Sequence, residues 1–399
     1  MARKRVLIIG ASILQLPAIV KAKELGYYVG VIDYNPKAVG IPYADEFFEI
    51  STIDIDGVTK TALDFKPDGI MTLATDMPMR SIAAAAAACG LPGISTETAV
   101  KSTDKGEMIR AFEKASVEHP WYFIINSVKD LEDDVDGVLN KITYPCISKP
   151  TDNSGSRGVM LIHSKDELLK AVAYSSENGR SGGVIVEEYM KGPEVSVEIM
   201  AVDGKVNILQ VTDKLTTGAP HFVEMGHSQP SRLDKESVDK IKDLAKRAVA
   251  AVGIENGPAH VEIILTENGP KMVELGARMG GDCITTHLVP LSTGVDMIKA
   301  TMDVCCGISP SIEKKFDKGS AIRYFSAKNG VIESITGVDE ALSIPGVCEI
   351  SFVKNVGDRV LDIGSSTDRV GFVIAKADSA KEAASVCERA LETVKICVR

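Results

Sequence analysis

Between residues 5 and 90, short β-branched runs alternate with helical stretches, and this alternation constrains the fold more than any other feature of the 399-residue chain. Arg5–Ile9, Tyr28–Ile32, Phe47–Ile50 and Gly69–Leu73 read as strands. One helical stretch opens at Ser12 as its cap and runs to Leu25; others span Asp56–Phe65 and the Ala-rich Pro78–Cys89. Strands separated by helices predict a parallel sheet covered on both faces, since each parallel crossover needs a helix's length of chain. Ligands of such sheets gather beyond the strand C-termini. In the first turn, Gly10-Ala-Ser-Ile-Leu-Gln15, Ser12 and Gln15 replace the second and third glycines of a dinucleotide fingerprint. Although Asp33 ends the second strand, this reads as a Rossmann-like domain without its dinucleotide.

Further along, residues 91–145 look helical around one strand near Trp121–Ile124. Residues 146–190 read strand, Gly-rich turn, strand, helix, strand, and residues 193–275 are β-rich. A helix over Asp234–Val252 interrupts them, with apolar positions 238, 241, 244, 245, 248, 249 and 252 at helical spacing. His260–Leu265 and Lys271–Leu275 flank Thr266-Glu-Asn-Gly269, a hairpin signal. A helix follows Gly294, and from about 315 strands resume before a final helix from Ser379. The division expected is 1–95 Rossmann-like, 96–310 central with a flap subdomain at about 145–190, and 311–399 a small α+β domain.

Charge and composition remove several function classes. Lys and Arg number 45 against 55 Asp and Glu, a net charge of −10 that disfavours phosphate backbones, so no nucleic-acid partner is expected. No run of about 18 uncharged apolar residues exists, so no membrane span is expected. The basic start, Met1-Ala-Arg-Lys-Arg, leads only into Val6–Ile9, too short for a secretory apolar core of about 7–15 residues. The eight cysteines show neither C-x-x-C nor zinc spacing and read as buried thiols, so a reducing cytoplasm is expected.

Three segments carry chemistry. In Ile147-Ser-Lys149-Pro-Thr-Asp-Asn-Ser154-Gly155-Ser156-Arg-Gly158, a strand delivers a lysine into a small-residue loop. Such a loop lets backbone N–H groups approach an anion while the lysine adds a charge; a solvated hairpin is the alternative. In Val184-Ile-Val-Glu187-Glu188-Tyr189-Met190-Lys-Gly-Pro-Glu194, a buried strand ends in acids able to accept from an adenine amino group and a ribose diol; a salt-bridged strand end is the alternative. In His260-Val-Glu262 and Lys271-Met-Val-Glu274-Leu-Gly276-Ala-Arg278-Met-Gly-Gly281-Asp282, the hairpin sets Glu262 beside Glu274. Two carboxylates at that range want a cation between them, and oxygen donors beside phosphate suit Mg²⁺. An exposed charged hairpin is the alternative, though both acids sit in apolar runs.

In this order and spacing, the three segments resemble the ATP-grasp superfamily of carboxylate–amine ligases over roughly residues 1–310. The resemblance implies an α/β and α+β ATP-grasp fold behind a Rossmann-like pre-ATP-grasp domain, with ATP and Mg²⁺ (or Mn²⁺) as cofactors. It implies nucleotide contacts from Lys105, Lys149, the flap residues Ser154, Gly155, Ser156 and Gly158, the hinge Glu187, Glu188, Tyr189 and Met190, and the ribose acid Glu194. It makes Glu262 and Glu274 metal ligands, Arg278 the phosphate-stabilising arginine and Lys214 a γ-phosphate contact. Lys105 otherwise reads as an exposed helix start, and Lys214 as a strand-end charge. One departure stands out: the family's Glu-x-Asn-x-Arg is here Glu274-Leu-Gly276-Ala-Arg278, so the side-chain oxygen of the Asn is missing and the metal count is open.

Within the superfamily, Phe222-Val-Glu-Met-Gly-His227-Ser-Gln-Pro-Ser231, Arg278-Met-Gly-Gly-Asp282 and the tail from Ala321 resemble the L-amino-acid ligase branch. This implies ligation of amino acids through an acylphosphate, with His227, Gly281 and Asp282 at the substrate. A homodimer and small-molecule carboxylate and amine partners go with it. His227 otherwise reads as a strand histidine satisfied by a neighbour. The N-terminal stretches Gln15-Leu-Pro, Asp33-Tyr-Asn-Pro36 and Ala44-Asp45 resemble purine-pathway ATP-grasp enzymes instead. That alternative, similar to phosphoribosylglycinamide synthetase, needs a basic anion pocket; the sequence shows no dense Arg/Lys cluster for one, and Arg80 is one candidate. A nucleotide-binding module without turnover, motivated by Gly276, is the third reading.

Overall fold

In a computed structural model, the structure describes residues 3–133, 137, 140–153, 155, 157–219 and 221–399. Among these residues, the strands form four sheets. The first holds β1 (Arg5–Ile9), β2 (Tyr28–Asp33), β3 (Glu46–Glu49) and β4 (Gly69–Met71) in the order β3-β2-β1-β4, all parallel. The parallel sheet expected from the alternation is present. β1 is buried from Val6 to Ile9, as a strand covered on both faces must be.

The first helix, Leu16–Glu24, starts later than Ser12 predicts: its N-cap is Gln15, and no side chain caps it. Ser12 and Gln15 bond each other instead. Gln15 Oε1 accepts from the Ser12 hydroxyl at 2.7 Å, and Gln15 Nε2 donates to Leu73 O at 2.7 Å. A Cβ on Gly10 would lie 2.8 Å from Gln15 Oε1. Gln15 thus fills the turn where a dinucleotide's pyrophosphate would need bare backbone. Asp33 is spent on the backbone N–H groups of Ala11 (2.8 Å) and Asn35 (2.9 Å).

The second sheet, β5 (Tyr122–Ile125), β6 (Cys146–Pro150), β7 (Met160–Ile162) and β8 (Val184–Glu188), runs β5-β8-β6-β7. The third has eight strands. Its first five are β9 (Glu194–Val202), β10 (Lys205–Thr216), β11 (Glu224–Gln229), β12 (Gly257–Thr266) and β13 (Gly269–Gly276). It continues through β14 (Gly319–Phe325), β18 (Gly371–Ala377) and β16 (Val347–Phe352). Because β14 pairs with β11, the C-terminal α+β segment shares this sheet with the central one. A small sheet of β15 (Gly330–Thr336), β17 (Arg359–Val360) and β19 (Lys395–Val398) completes the chain. β19 is not among the expected elements, the last of which is the helix from Ser379.

Helix Lys235–Val252 matches its predicted span, opening on an Asp234 cap that accepts from Ser237 N and closing on left-handed Gly253. Its Ile241, Leu244, Ala245, Ala248, Val249 and Val252 are fully buried and share one core with β9, β12 and β13. At ~1.5–3 kcal/mol for each large aliphatic side chain buried, this face fixes the hairpin β12–β13 from behind. On the opposite face, the β9–β12 stretch beside the hairpin carries Glu194, Ser196, Glu198, His260 and Glu262, while Met200 and Leu209 pack into a second core.

Candidate active site

The hairpin β12–β13 turns through two residues, and its register pairs Glu262 with Glu274. Directly opposed residues on one face place their Cβ atoms about 5 Å apart. Each carboxylate is met by a lysine from another element. Lys105, first residue of helix Lys105–Lys114, reaches Glu274 Oε2 at 2.9 Å and donates to Asn153 O at 2.7 Å. Lys214, on β10, lies 3.2 Å from Glu262, 2.5 Å from Glu194 and 3.5 Å from Glu224.

Burial works against charge on all these groups, and the pairing decides the outcome. Burial lowers the Lys214 ammonium's affinity for its proton, but Glu194, Glu262 and Glu224 together hold it well above the usual lysine value. Burial raises Glu262, yet Lys214 and His260 hold it well below the carboxylate range. Glu274 is likewise raised by burial but lowered further by Lys105. Glu194 stays above its ordinary value, because burial and its neighbours Glu262 and Glu224 outweigh Lys214. His260 is buried between Glu198 (2.9 Å from Nδ1) and Glu262 (3.2 Å from Nε2); burial pushes it down, but Glu198 carries it to about 9.

Arg278 lies just past β13. Its Nε and Nη2 each bond one oxygen of Asp76 at 3.0 Å, and its Nη1 donates to Met279 O. Asp76, Lys105, Asn153, Arg180, Glu262, Glu274, Gly276 and Arg278 line one cavity. An adjoining cavity is lined by Lys105, Lys149 and Glu187. There, Lys149 Nζ meets Glu187 Oε1 at 2.6 Å, on the neighbouring strands β6 and β8. Glu188 points elsewhere: both its oxygens accept from Lys271 Nζ, at 2.7 and 3.0 Å. Met190 is buried, and the Tyr189 ring lies 6.2 Å from Phe222. In the β6–β7 loop, Gly155 and Gly158 take positive φ, and a Cβ on Gly158 would strike Pro150 and Asn178 at 2.8 Å. Ser154 and Ser156 lie outside the described residues.

The third predicted group lies on the other side of Arg278. Gly281 faces Ala74, and His227 on β11 is buried with Nε2 3.3 Å from Asp282 Oδ2. Among the described residues, its buried Nδ1 has no hydrogen-bond partner. Asp282 also takes a bidentate bond from Arg369, at 2.8 and 2.9 Å, whose guanidinium stacks on Tyr324 at 3.8 Å. Asp76, Arg369, Glu224 and the Glu198–His260 pair are site components the sequence reading did not single out. Asp76 and Arg369 lie 202 and 87 residues from their partners, so no local spacing reveals them. Arg80 bonds Thr103 Oγ1 and is exposed.

Burial raises Asp282, but the His227 and Arg369 hydrogen bonds take it far below the carboxylate range. A depressed folded value gives stability that is present above the unfolded carboxylate pKa near ~4 and lost as pH falls. Asp282→Asn is expected to cost about 2 kcal/mol at pH 7, because it strands a buried guanidinium. Melting curves of wild type and variant should converge below pH ~4; a gap that persists unchanged at pH 3 would contradict the ion-pair account.

The geometry has counterparts among known proteins. Residues 142–286 match the ATP-grasp domain, and residues 323–399 match the L-amino acid ligase C-terminal domain 2. The chain thus carries an ATP-grasp domain over residues 142–286. Alanine–anticapsin ligase of Bacillus subtilis is 27% identical over 320 residues, covering 74% of this chain and 66% of that protein. The chain spans 63% to 66% of the length of the first curated relatives it matches. The crystal structure of L-amino acid ligase from Bacillus licheniformis superposes with a TM-score of 0.85 at 22% identity, over the whole of both chains. Phosphoribosylglycinamide synthetase from Anaerococcus prevotii does so with 0.80 at 24%, again over both chains in full. These two likenesses establish the ATP-grasp fold. No helix among the described residues is long and apolar enough to cross a membrane.

Proposed function

We propose that this chain is an ATP-dependent carboxylate–amine ligase that activates one amino acid as an acylphosphate and joins it to the amino group of another. The observation that carries this reading is the C-terminal segment. It matches the L-amino acid ligase C-terminal domain, and it delivers Arg369 onto Asp282, four residues from Arg278. The purine-type alternative asks for a ribose phosphate to be held by free basic groups. Arg369 instead spends its fork on Asp282, and Arg80 bonds a threonine.

A carboxylate resists attack because it is anionic. Phosphorylation gives it a leaving group, and the site must offset repulsion between carboxylate and triphosphate. Lys105 and Lys149 line the cavities where the phosphates would lie, and Arg278 closes one end. Mg²⁺ fits Glu262 and Glu274: it binds through one or two carboxylates and completes its shell with phosphate and water. Each of these acids already lies against a lysine ammonium, which supports the reading of a position that accepts a cation. The metal would neutralise charge on the terminal phosphates, and Mn²⁺ is expected to replace it. The loop between β6 and β7 would exclude water from the acylphosphate.

The test is phosphate release from ATP and Mg²⁺ against pairs of amino acids, with phosphoribosylamine plus glycine as a separate arm. A product of mass equal to two amino acids less water supports the proposal; release only in the second arm overturns it. Lys149→Ala is expected to weaken ATP binding about 10-fold or more, since it removes a charge-assisted bond and strands Glu187. Calorimetry showing unchanged affinity would remove Lys149 from the nucleotide site.

A further inference from the structure

The strand β13 ends on a glycine whose presence its own backbone does not explain. Gly276 lies outside the left-handed region that favours glycine. Space explains it: a Cβ there would lie 2.5 Å from Asp76 Oδ1, 3.1 Å from Arg278 Nε and 3.3 Å from Arg278 Cγ. In the motif this segment resembles, an asparagine occupies the position. Here a carboxylate from the N-terminal sheet, on the turn between β4 and helix Met79–Cys89, takes up that volume.

The carboxylate is well placed to orient the arginine. It accepts from Nε and Nη2 side by side, and such a bidentate fork fixes the guanidinium plane as a single bond does not. Of the five guanidinium N–H groups, one more goes to Met279 O, and the other two have no hydrogen-bond partner among the described residues, on a side chain that lines the shared cavity.

We propose that Asp76 is the positioning residue of Arg278, and that Gly276 is the small residue that admits it, so that the N-terminal sheet completes the phosphate-stabilising end of the site. The inference rests on the ligase reading for the role of Arg278, but the contact itself is independent of it. Asp76 touches no reacting atom in this arrangement; it acts through the arginine. A misplacement of that arginine by an ångström should cost the chemical step and spare ground-state nucleotide binding.

The experiment is a double-mutant cycle on Asp76→Ala and Gly276→Ala, with Asp76→Asn as the isosteric control. Each single variant is expected to lower kcat about 10²-fold while leaving KM for ATP within about twofold. Asp76→Asn, which keeps one acceptor, should recover part of the loss. The double variant should be little slower than Asp76→Ala, because without the carboxylate the shortest clash is gone and the Arg278 side chain, 3.1 and 3.3 Å from the added methyl, is no longer held in place against it. Melting temperature and ATP affinity of all four proteins are read in parallel. Gly276→Ala should lower the melting temperature clearly more when Asp76 is present than in the Asp76→Ala background, where only the Arg278 side chain is left to give way. An equal penalty in both backgrounds, or folded Asp76 variants with wild-type kcat, overturns the proposal. Wild-type protein that turns over no substrate pair defeats the ligase reading; the melting-temperature cycle still decides the Asp76–Gly276 contact.

Discussion

Glu274→Gln is expected to remove metal-dependent turnover, with a loss of about 10²-fold or more in kcat, and to leave the fold intact. The substitution is nearly isosteric, so packing around β13 is kept. What changes is charge. Glu274 faces Glu262 across the hairpin and holds the Lys105 ammonium at 2.9 Å. A neutral amide accepts from Lys105 but is a poor ligand for a hard divalent cation. The stability cost should be modest, about 1 kcal/mol, because the hydrogen bond survives while the ionic part is lost. Phosphate release at increasing Mg²⁺ is the measurement, with thermal melting beside it. Turnover at the wild-type level would remove Glu274 from the metal site; a collapsed melting curve would make it a structural residue.

How much of this was legible in the sequence follows from what each feature depends on. Glu262 and Glu274 could be brought near each other because a hairpin signal is local, but the two-residue turn alone sets Glu262 against Val273; a bulge between Glu262 and Ile263 shifts the register and makes Glu274 its partner. Helix Lys235–Val252 was visible for the same reason: a 3.6-residue period and a capping aspartate are local facts. The start of the first helix was misjudged because Ser12 suits a cap by type, whereas Gln15 wins it by reaching Leu73 across the sheet. Glu188 reads from sequence as a ligand-facing acid, whereas in the fold Lys271, on another strand, holds both its oxygens. Asp76 and Arg369 are the clearest cases of what a sequence conceals. Each makes a bidentate pair across a distance in chain that only the folded sheets close.

The same contrast bears on Gly276. From sequence it reads as a missing ligand, and it motivates a chain without turnover. In the structure the space is occupied by a carboxylate that bonds the arginine two residues on. A lost functional group would leave a hole or a relaxed neighbour; here the arrangement is close-packed and ion-paired, which favours a working site with a different supporting residue.

Arg278→Ala is expected to slow chemistry by about 10²–10³-fold, the range seen when a single stabilising donor of a transition state is removed. ATP affinity should fall much less, since Lys105 and Lys149 remain. Charge develops on the transferred phosphoryl group only during the reaction, so a group aimed at it lowers kcat more than it raises KM. Arg278→Lys separates charge from geometry. A lysine keeps the positive charge, which Glu262 and Glu274 favour, but cannot fork onto Asp76 while presenting donors to an anion. Its kcat should therefore lie nearer the alanine variant than the wild type. Single-turnover phosphate release and equilibrium ATP binding on both variants distinguish the cases. Weakened ATP binding with an unchanged chemical step would make Arg278 a ground-state contact, and the Asp76 fork would then orient the nucleotide rather than the transition state.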